Sequence, residues 1–466
     1  MAGFAIALRV AESILAGQTA KSVHSSSHSF NVRDYAATGD GTSLDTAAIN
    51  RAITACSEAG GGVVRFPAGR YLSGTIFLRS YVNLFLESGA VLFGTTNLDD
   101  YAQPTIPSYM PEAKWGKWHR ALLVGEKAEH VTIGGEGIID GSKVFDPTGE
   151  EHMRGPHMLV FVNCRDFTVR DLSLHDASNY AIFFEASDDV EVRNVKITGG
   201  WDGVHFRGAP EHWCHNVNII GCQFYTGDDS IAGRYWENTV ISSCVVNSSC
   251  NGIRLIGPAT HLLVTGCLFY GPGQQPHRTS ARTNMLSGIN LQPGSWDETK
   301  GLLDDVFLVN NSMRDVASPV TVSTKGANPV GRVTIDGLHA TGVYRSALSV
   351  ESWSDLPITN LVVRSSSIEF KGGGTAEQAK QTVNSPGVDA RPLPCWGVYG
   401  RNVAQLTLED VRLSLSQSDL RPVLTAERVE NLTLDNFKFA PQPDVPEPAV
   451  LTKIGKLNLH NTELKH

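Results

Sequence analysis

The chain has 466 residues, 41% of them hydrophobic and 19% charged, with a formal net charge of −9. There is ample material for a core, no uninterrupted apolar run long enough to span a bilayer, and no excess of Lys and Arg to attract nucleic acid or another polyanion in general. Any acidic ligand therefore needs a local basic site.

Residues 1–28 read as a leader or disordered N-terminal segment, rich in Ala, Ser and Gly. An apolar start broken by Arg9 and Glu12 matches a signal peptide poorly. Folded sequence is expected from residue 29 to residue 466 as a single domain, opening at Phe30-Asn31-Val32 and a Gly-rich turn, Gly39-Asp40-Gly41. In Asp45 to Cys56, Ile49, Ile53 and Cys56 share one face of a short helix, Asp45 stands where a cap is needed, and Gly60 to Gly62 end it. One amphipathic helix ahead of an all-β region suits an end cap over exposed strand edges.

From about residue 63 the chain reads as short strands of alternating β-branched and apolar residues closed by Gly, Asn, Asp or Ser. Val131-Thr132-Ile133, Phe167-Thr168-Val169, Val190-Glu191-Val192, Val217-Asn218-Ile219, Val240-Ile241 and Leu262-Leu263-Val264 open similar units. The step settles at about 23 residues, the mark of a solenoid. Leucine-rich repeats need Leu at fixed positions and propeller blades need about twice the period, so the pattern predicts an all-β, right-handed parallel β-helix with a short N-terminal capping helix. Cys222, Cys244 and Cys267 follow the same step and read as buried, stacked residues rather than disulfide partners. Units at Val333, Leu361, Leu406, Leu432 and Leu457 carry the repeat to the end. Three stretches interrupt it, Gln103 to Arg120, Gly271 to Met285 and Gly372 to Pro394, and read as inserted loops. Trp115, Trp118, His277 and Arg278 on the first two are expected to wall a groove.

Most Asp residues here are turn formers or solvated surface groups. Asp228-Asp229, in Thr226-Gly227-Asp228-Asp229, differs in sitting between an apolar strand and Ser230-Ile231-Ala232. Asp202, in Gly200-Trp201-Asp202-Gly203, holds the corresponding place one coil earlier, with extra residues bulging around Ala209 to Trp213. Stacking brings these carboxylates together on an exposed face, where like charges raise at least one pKa and let one group act as acid while another acts as base. That equips a site for glycoside hydrolysis. A Ca²⁺ site is the competing reading, since hard cations favour clustered carboxylates.

The sequence resembles glycoside hydrolase family 28, the polygalacturonases and related pectin hydrolases. The resemblance runs from Phe30 to about Met313 and is carried by Val32-Arg33-Asp34-Tyr35, Gly69-Arg70-Tyr71, Gly135-Glu136-Gly137-Ile138-Ile139-Asp140-Gly141, Ser178-Asn179-Tyr180 and, above all, Gly200-Trp201-Asp202 and Gly227-Asp228-Asp229. It implies that Asp228 donates a proton to the leaving oxygen while Asp202 and Asp229 activate water, with inversion at the anomeric carbon and neither metal nor organic cofactor. It also implies a polysaccharide or oligosaccharide substrate and a secreted or periplasmic enzyme, with no nucleic-acid or membrane partner. The family's Gly-His-Gly motif lines up with Cys250-Asn251-Gly252 and its Arg-Ile-Lys motif with Asn290-Leu291-Gln292. The site is therefore expected to be less cationic, with Asn251, Asn290 and Gln292 offering amides to sugar hydroxyls. Arg254 could restore a charge from another direction, as could Arg234 or Arg207. Trp201, Trp236 and Trp296 are candidates for stacking on sugar rings, and His205 for facing the groove beside Asp202. A Ca²⁺-dependent lyase and a non-catalytic carbohydrate-binding β-helix remain as alternatives.

Overall fold

The computed structural model describes residues 28–110, 116–296, 298–445 and 447–464. Trp115 and nearly all of the expected leader lie outside them.

Alternation of core-facing and outward-facing residues, with no helical period, leaves each short segment one stable option: to pair edge to edge with the segment one coil away. Among the described residues 37 strands do this through parallel pairings in a single wrapped sheet, and the fold is a right-handed parallel β-helix. One hydrophobic cluster runs its whole length, from Val32 to Phe437. Among the described residues no helix is long and apolar enough to cross a membrane.

Helix α1 (Thr46–Glu58) covers the first coil with Ile49, Ile53 and Cys56 fully buried. Asp45 precedes it, but its side chain makes no cap hydrogen bond. Its carboxylate instead accepts from the Thr38 and Gly39 amides at 2.7 and 3.0 Å, tying down the Gly-rich turn.

The repeat differs from the sequence reading in register after the Val217 coil. Val217 pairs with Thr239 rather than Val240, and Thr239 with Leu262, so the unit begins one residue earlier and Val240 faces outward. Cys222, Cys244 and Cys267 are buried free thiols whose sulfurs approach the carbonyls of Val192, Ile219 and Ile241 from the coil before each. Asp189, Asn216 and Asn238 occupy one corner of successive coils with positive φ, a conformation that short polar side chains tolerate. The Asn216 amide donates to Asp189, and the Asn238 amide to Asn216.

One face of the solenoid carries the candidate site. Its strands, stacked in order, are β1 (Ala121–Glu126), β2 (His157–Val162), β3 (Ile182–Glu185), β4 (Val204–Arg207), β5 (Ile231–Arg234), β6 (Asn251–Leu255), β7 (Ser287–Leu291), β8 (Val320–Thr324), β9 (Leu348–Ser352) and β10 (Val398–Leu415). The three expected insertions appear as loops ahead of β1, ahead of β7 and ahead of β10. Two further loops, 141–156 and 292–302, also reach this face. The bulge expected near Ala209 is a tight reversal closed by an Ala209–His212 bridge.

Candidate active site

Asp202 lies in the turn entering β4, where Gly199 and Gly200 take φ of 79° and 71°. Gly203 follows because a side chain has no room there: an added Cβ would sit 2.5 Å from the Ser230 carbonyl and 2.8 Å from the Phe224 ring. The Asp228-Asp229 turn enters β5 and is held from inside by hydroxyls. Thr226 Oγ1 and Ser248 Oγ both donate to the Asp228 carbonyl, at 2.9 and 2.7 Å, which leaves the carboxylates to point outward. Val204 pairs with Ile231, so Asp202 is in register with Asp229, one place on from the expected match with Asp228.

The three acids were expected on an exposed face, yet Asp202, Asp228 and Asp229 are only 5%, 9% and 5% exposed. Their partners differ. Asp202 Oδ2 meets His205 Nδ1 at 2.8 Å. Asp228 Oδ2 accepts from Arg154 at 3.0 Å, with His277 Nε2 3.8 Å from its other oxygen. Asp229 Oδ1 accepts from the backbone N–H and side-chain amide of Asn251 at 3.0 and 2.9 Å, and its Oδ2 lies 3.5 Å from Arg254.

Burial raises the pKa of all three, but the neighbours decide the result. Asp202 is pushed well above the usual carboxylate range by burial and by the charges of Asp228 and Asp229. Asp229 is raised by burial and Asp228, against the opposing pull of Arg254. For Asp228 the cost of burial is outweighed by Arg154, His277 and Arg254, and its pKa falls below the ordinary value. His205 is driven well below the usual histidine range by burial, then by Arg207 and Arg234. Asp228 is thus favoured as the anion, while Asp202 and Asp229, in register with each other, are the more readily protonated carboxyls.

The expected ligands separate into distinct positions. His205 lies against Asp202 and stacks flat on Tyr180, with ring centroids 4.3 Å apart. Arg254 lines the pocket and packs over the Trp296 ring at 4.7 Å. Trp296 is 60% exposed and is the tryptophan offering a free face at the pocket mouth. Trp236 points into the core against Phe206, and Trp201 is fully buried beneath Arg154, so neither presents a ring to a sugar. Asn251 is buried and supports Asp229. The Asn290 and Gln292 amides are also buried and donate to the Val388 carbonyl of the loop ahead of β10.

The pocket has a volume of about 580 Å³. Arg154, Arg207, Arg234, Arg254 and Arg282 line it alongside seven carboxylates, so the basic side chains present come from positions outside the family motifs. Arg154 was missed because it arrives on loop 141–156, which carries no motif. His277 was placed on a groove wall and reaches the acids themselves. Asp228, Asp229 and Cys250 offer donor atoms within 4.8 Å of one another. A soft thiol suits a hard cation poorly, and guanidinium groups already sit against both carboxylates.

A family model described as "Rhamnogalacturonase A/epimerase, pectate lyase-like" matches residues 29–254. A "Probable polygalacturonase" of Vitis vinifera is 26% identical over 304 residues, covering 62% of this chain and 61% of that protein. An "Exo-poly-alpha-D-galacturonosidase" of Dickeya chrysanthemi is 27% identical over 254 residues, covering 43% and 41%. The chain thus spans less than two thirds of either relative. Among solved structures, a hyperthermoactive exopolygalacturonase from Thermotoga maritima superposes with a TM-score of 0.63 over 83% of this chain and 91% of that one, at 18% identity.

Proposed function

We propose that the chain is a divergent, polygalacturonase-like member of glycoside hydrolase family 28 that hydrolyses a glycosidic bond in a uronate-bearing, pectic polysaccharide or oligosaccharide, with inversion at the anomeric carbon. The observation that carries the reading is the convergence of Asp202, Asp228 and Asp229 on the floor of one arginine-lined pocket. A purely structural cluster gains nothing from three buried carboxylates in unlike environments, whereas acid–base catalysis depends on that difference.

In the proposed cycle Asp228 protonates the leaving oxygen, and Asp202 and Asp229 hold and deprotonate the attacking water. The free pocket keeps Asp228 ionised against Arg154. A substrate carboxylate competing for Arg154 removes the pull that lowers the Asp228 pKa and so favours its protonated form, while burial and mutual repulsion make Asp202 and Asp229 the stronger bases. His205 orients Asp202. The arginines favour a charged sugar because charge-assisted hydrogen bonds are roughly twice as strong as neutral ones. The relatives' names, a polygalacturonase and a galacturonosidase, point to the same substrate class.

The test is reducing-sugar release from polygalacturonate, rhamnogalacturonan and neutral pectic glycans. Asp228→Asn is expected to lower turnover by about 10²- to 10⁴-fold while the fold, followed by circular dichroism, is kept. Normal turnover by that variant sinks the assignment. Loss of activity with chelator, together with an unsaturated product, would instead support a Ca²⁺-dependent lyase.

A further inference from the structure

Outward-facing side chains of a β-helix sheet ordinarily meet solvent or ligand. On β8 and β9, Thr321, Ser323, Ser349 and Glu351 alternate with the core residues Val320, Val322, Leu348 and Val350 and so point outward, yet they are 6%, 0%, 1% and 0% exposed. The loop 371–397 lies over them. It is pinned twice. Arg391 grips the buried Glu351 with a two-pronged contact at 3.1 and 2.7 Å, and the Val388 carbonyl accepts from Gln292 at 3.1 Å and Asn290 at 3.4 Å. A small apolar cluster, Ala347, Leu393, Cys395 and Tyr399, fills the space beneath.

The opposite end is covered as well. On β1 to β3 the outward residues Val124, Val160, Val162 and Phe183 are buried with Trp118 from the loop ahead of β1. The sheet is therefore open over β4 to β6 alone, where His205, Arg207, Ala232, Arg234 and Arg254 reach the pocket. Three strands at about 4.8 Å spacing expose on the order of 10–15 Å, room for roughly two or three sugar rings.

Resting on the hydrolase reading above, we infer that the pocket is closed at both ends along the solenoid axis, so that the protein takes the terminal units of a glycan or a short oligosaccharide and does not cut inside a polymer. Asn290 and Gln292, at the positions where the family pattern holds a substrate-gripping Arg and Lys, serve here as a latch for the closing loop. The Arg254 guanidinium reaches the same Val388 carbonyl at 3.5 Å, so the loop is held there by two amides and one cation.

The experiment follows polygalacturonate and, in parallel, rhamnogalacturonan by viscosity and by product size. Mono- and disaccharides from the earliest time points with little loss of viscosity are expected. A rapid fall in viscosity with a ladder of intermediate oligomers overturns the inference. Arg391→Ala frees one anchor and is expected to add intermediate oligomers while trisaccharide turnover stays within about threefold. Because that change leaves Glu351 buried without its partner, a second variant replaces residues 381–390 by a short Gly-Ser linker. An unchanged end-only pattern in that variant, folded and active on trisaccharide, also overturns the inference. Absence of cleavage of any glycan removes the hydrolase reading and this inference with it, whereas internal cleavage removes the inference alone.

Discussion

Arg154 is the residue on which the proposed chemistry turns. It is buried among acids, donating to Asp228 at 3.0 Å and to Glu151 at 2.7 Å, and its guanidinium carbon lies 3.7 Å from the centre of the Trp201 ring. Without it, burial dominates at Asp228 and the carboxyl titrates at higher pH. The sign follows from the role: a proton donor is active below its pKa, so Arg154→Ala is expected to move the alkaline limb of kcat/KM upward. KM for an acidic oligosaccharide should rise on the order of 10- to 100-fold, the cost of one charge-assisted hydrogen bond. A pH–rate profile checks this. Movement of the acid limb instead would mean that Asp228 works ionised, as a base. None of this was legible in the sequence, where Arg154 belongs to a charged loop without a motif and Asp228 is one Asp of a recognisable pair. The identity of the acids could be read, but the charge state of each depends on side chains brought in from 74 residues away in the chain.

At the scale of single elements, legibility followed how local the cause was. The amphipathic spacing of Ile49, Ile53 and Cys56 needs only one helix to explain it, and the helix is there. The start of the unit at Thr239 was misplaced by one residue because both Val240 and Ile241 suit a strand, and only the neighbouring coils decide which faces inward. Trp201 and Trp236 flank the acidic motifs in sequence, but the turn and strand carrying them send both rings inside. The turn entering β4 gives this logic a test. In Gly203→Ala the new methyl must displace the Ser230 carbonyl or the Phe224 ring, an overpacking cost of about 1–3 kcal/mol. A lower thermal midpoint and a loss of turnover larger than the loss of folded protein are expected, because the same turn aims Asp202. A variant with unaltered midpoint and turnover would show that the close approach is not needed.

Across the whole molecule, each coil of a parallel solenoid touches little beyond its neighbours, so stability approximates a sum of coil and interface terms and damage stays near its origin. Helix α1 packs on the first coil, far along the axis from β4 to β6, and contributes no residue to the pocket. Ile53→Ala removes a fully buried side chain from that cap, at a cost of about 2–4 kcal/mol. In a globular domain with one cooperative core the loss would weaken every amide equally. Here hydrogen exchange is expected to quicken over residues 29–94 while the amides of β4 to β6 keep their protection and turnover is unchanged at moderate temperature. Uniform acceleration along the chain would show that the coils unfold as one unit. The same one-dimensional logic explains why the site sits mid-solenoid: only there do coils on both sides hold the acid-bearing turns rigid, and only there can loops from both directions close over one open stretch of sheet.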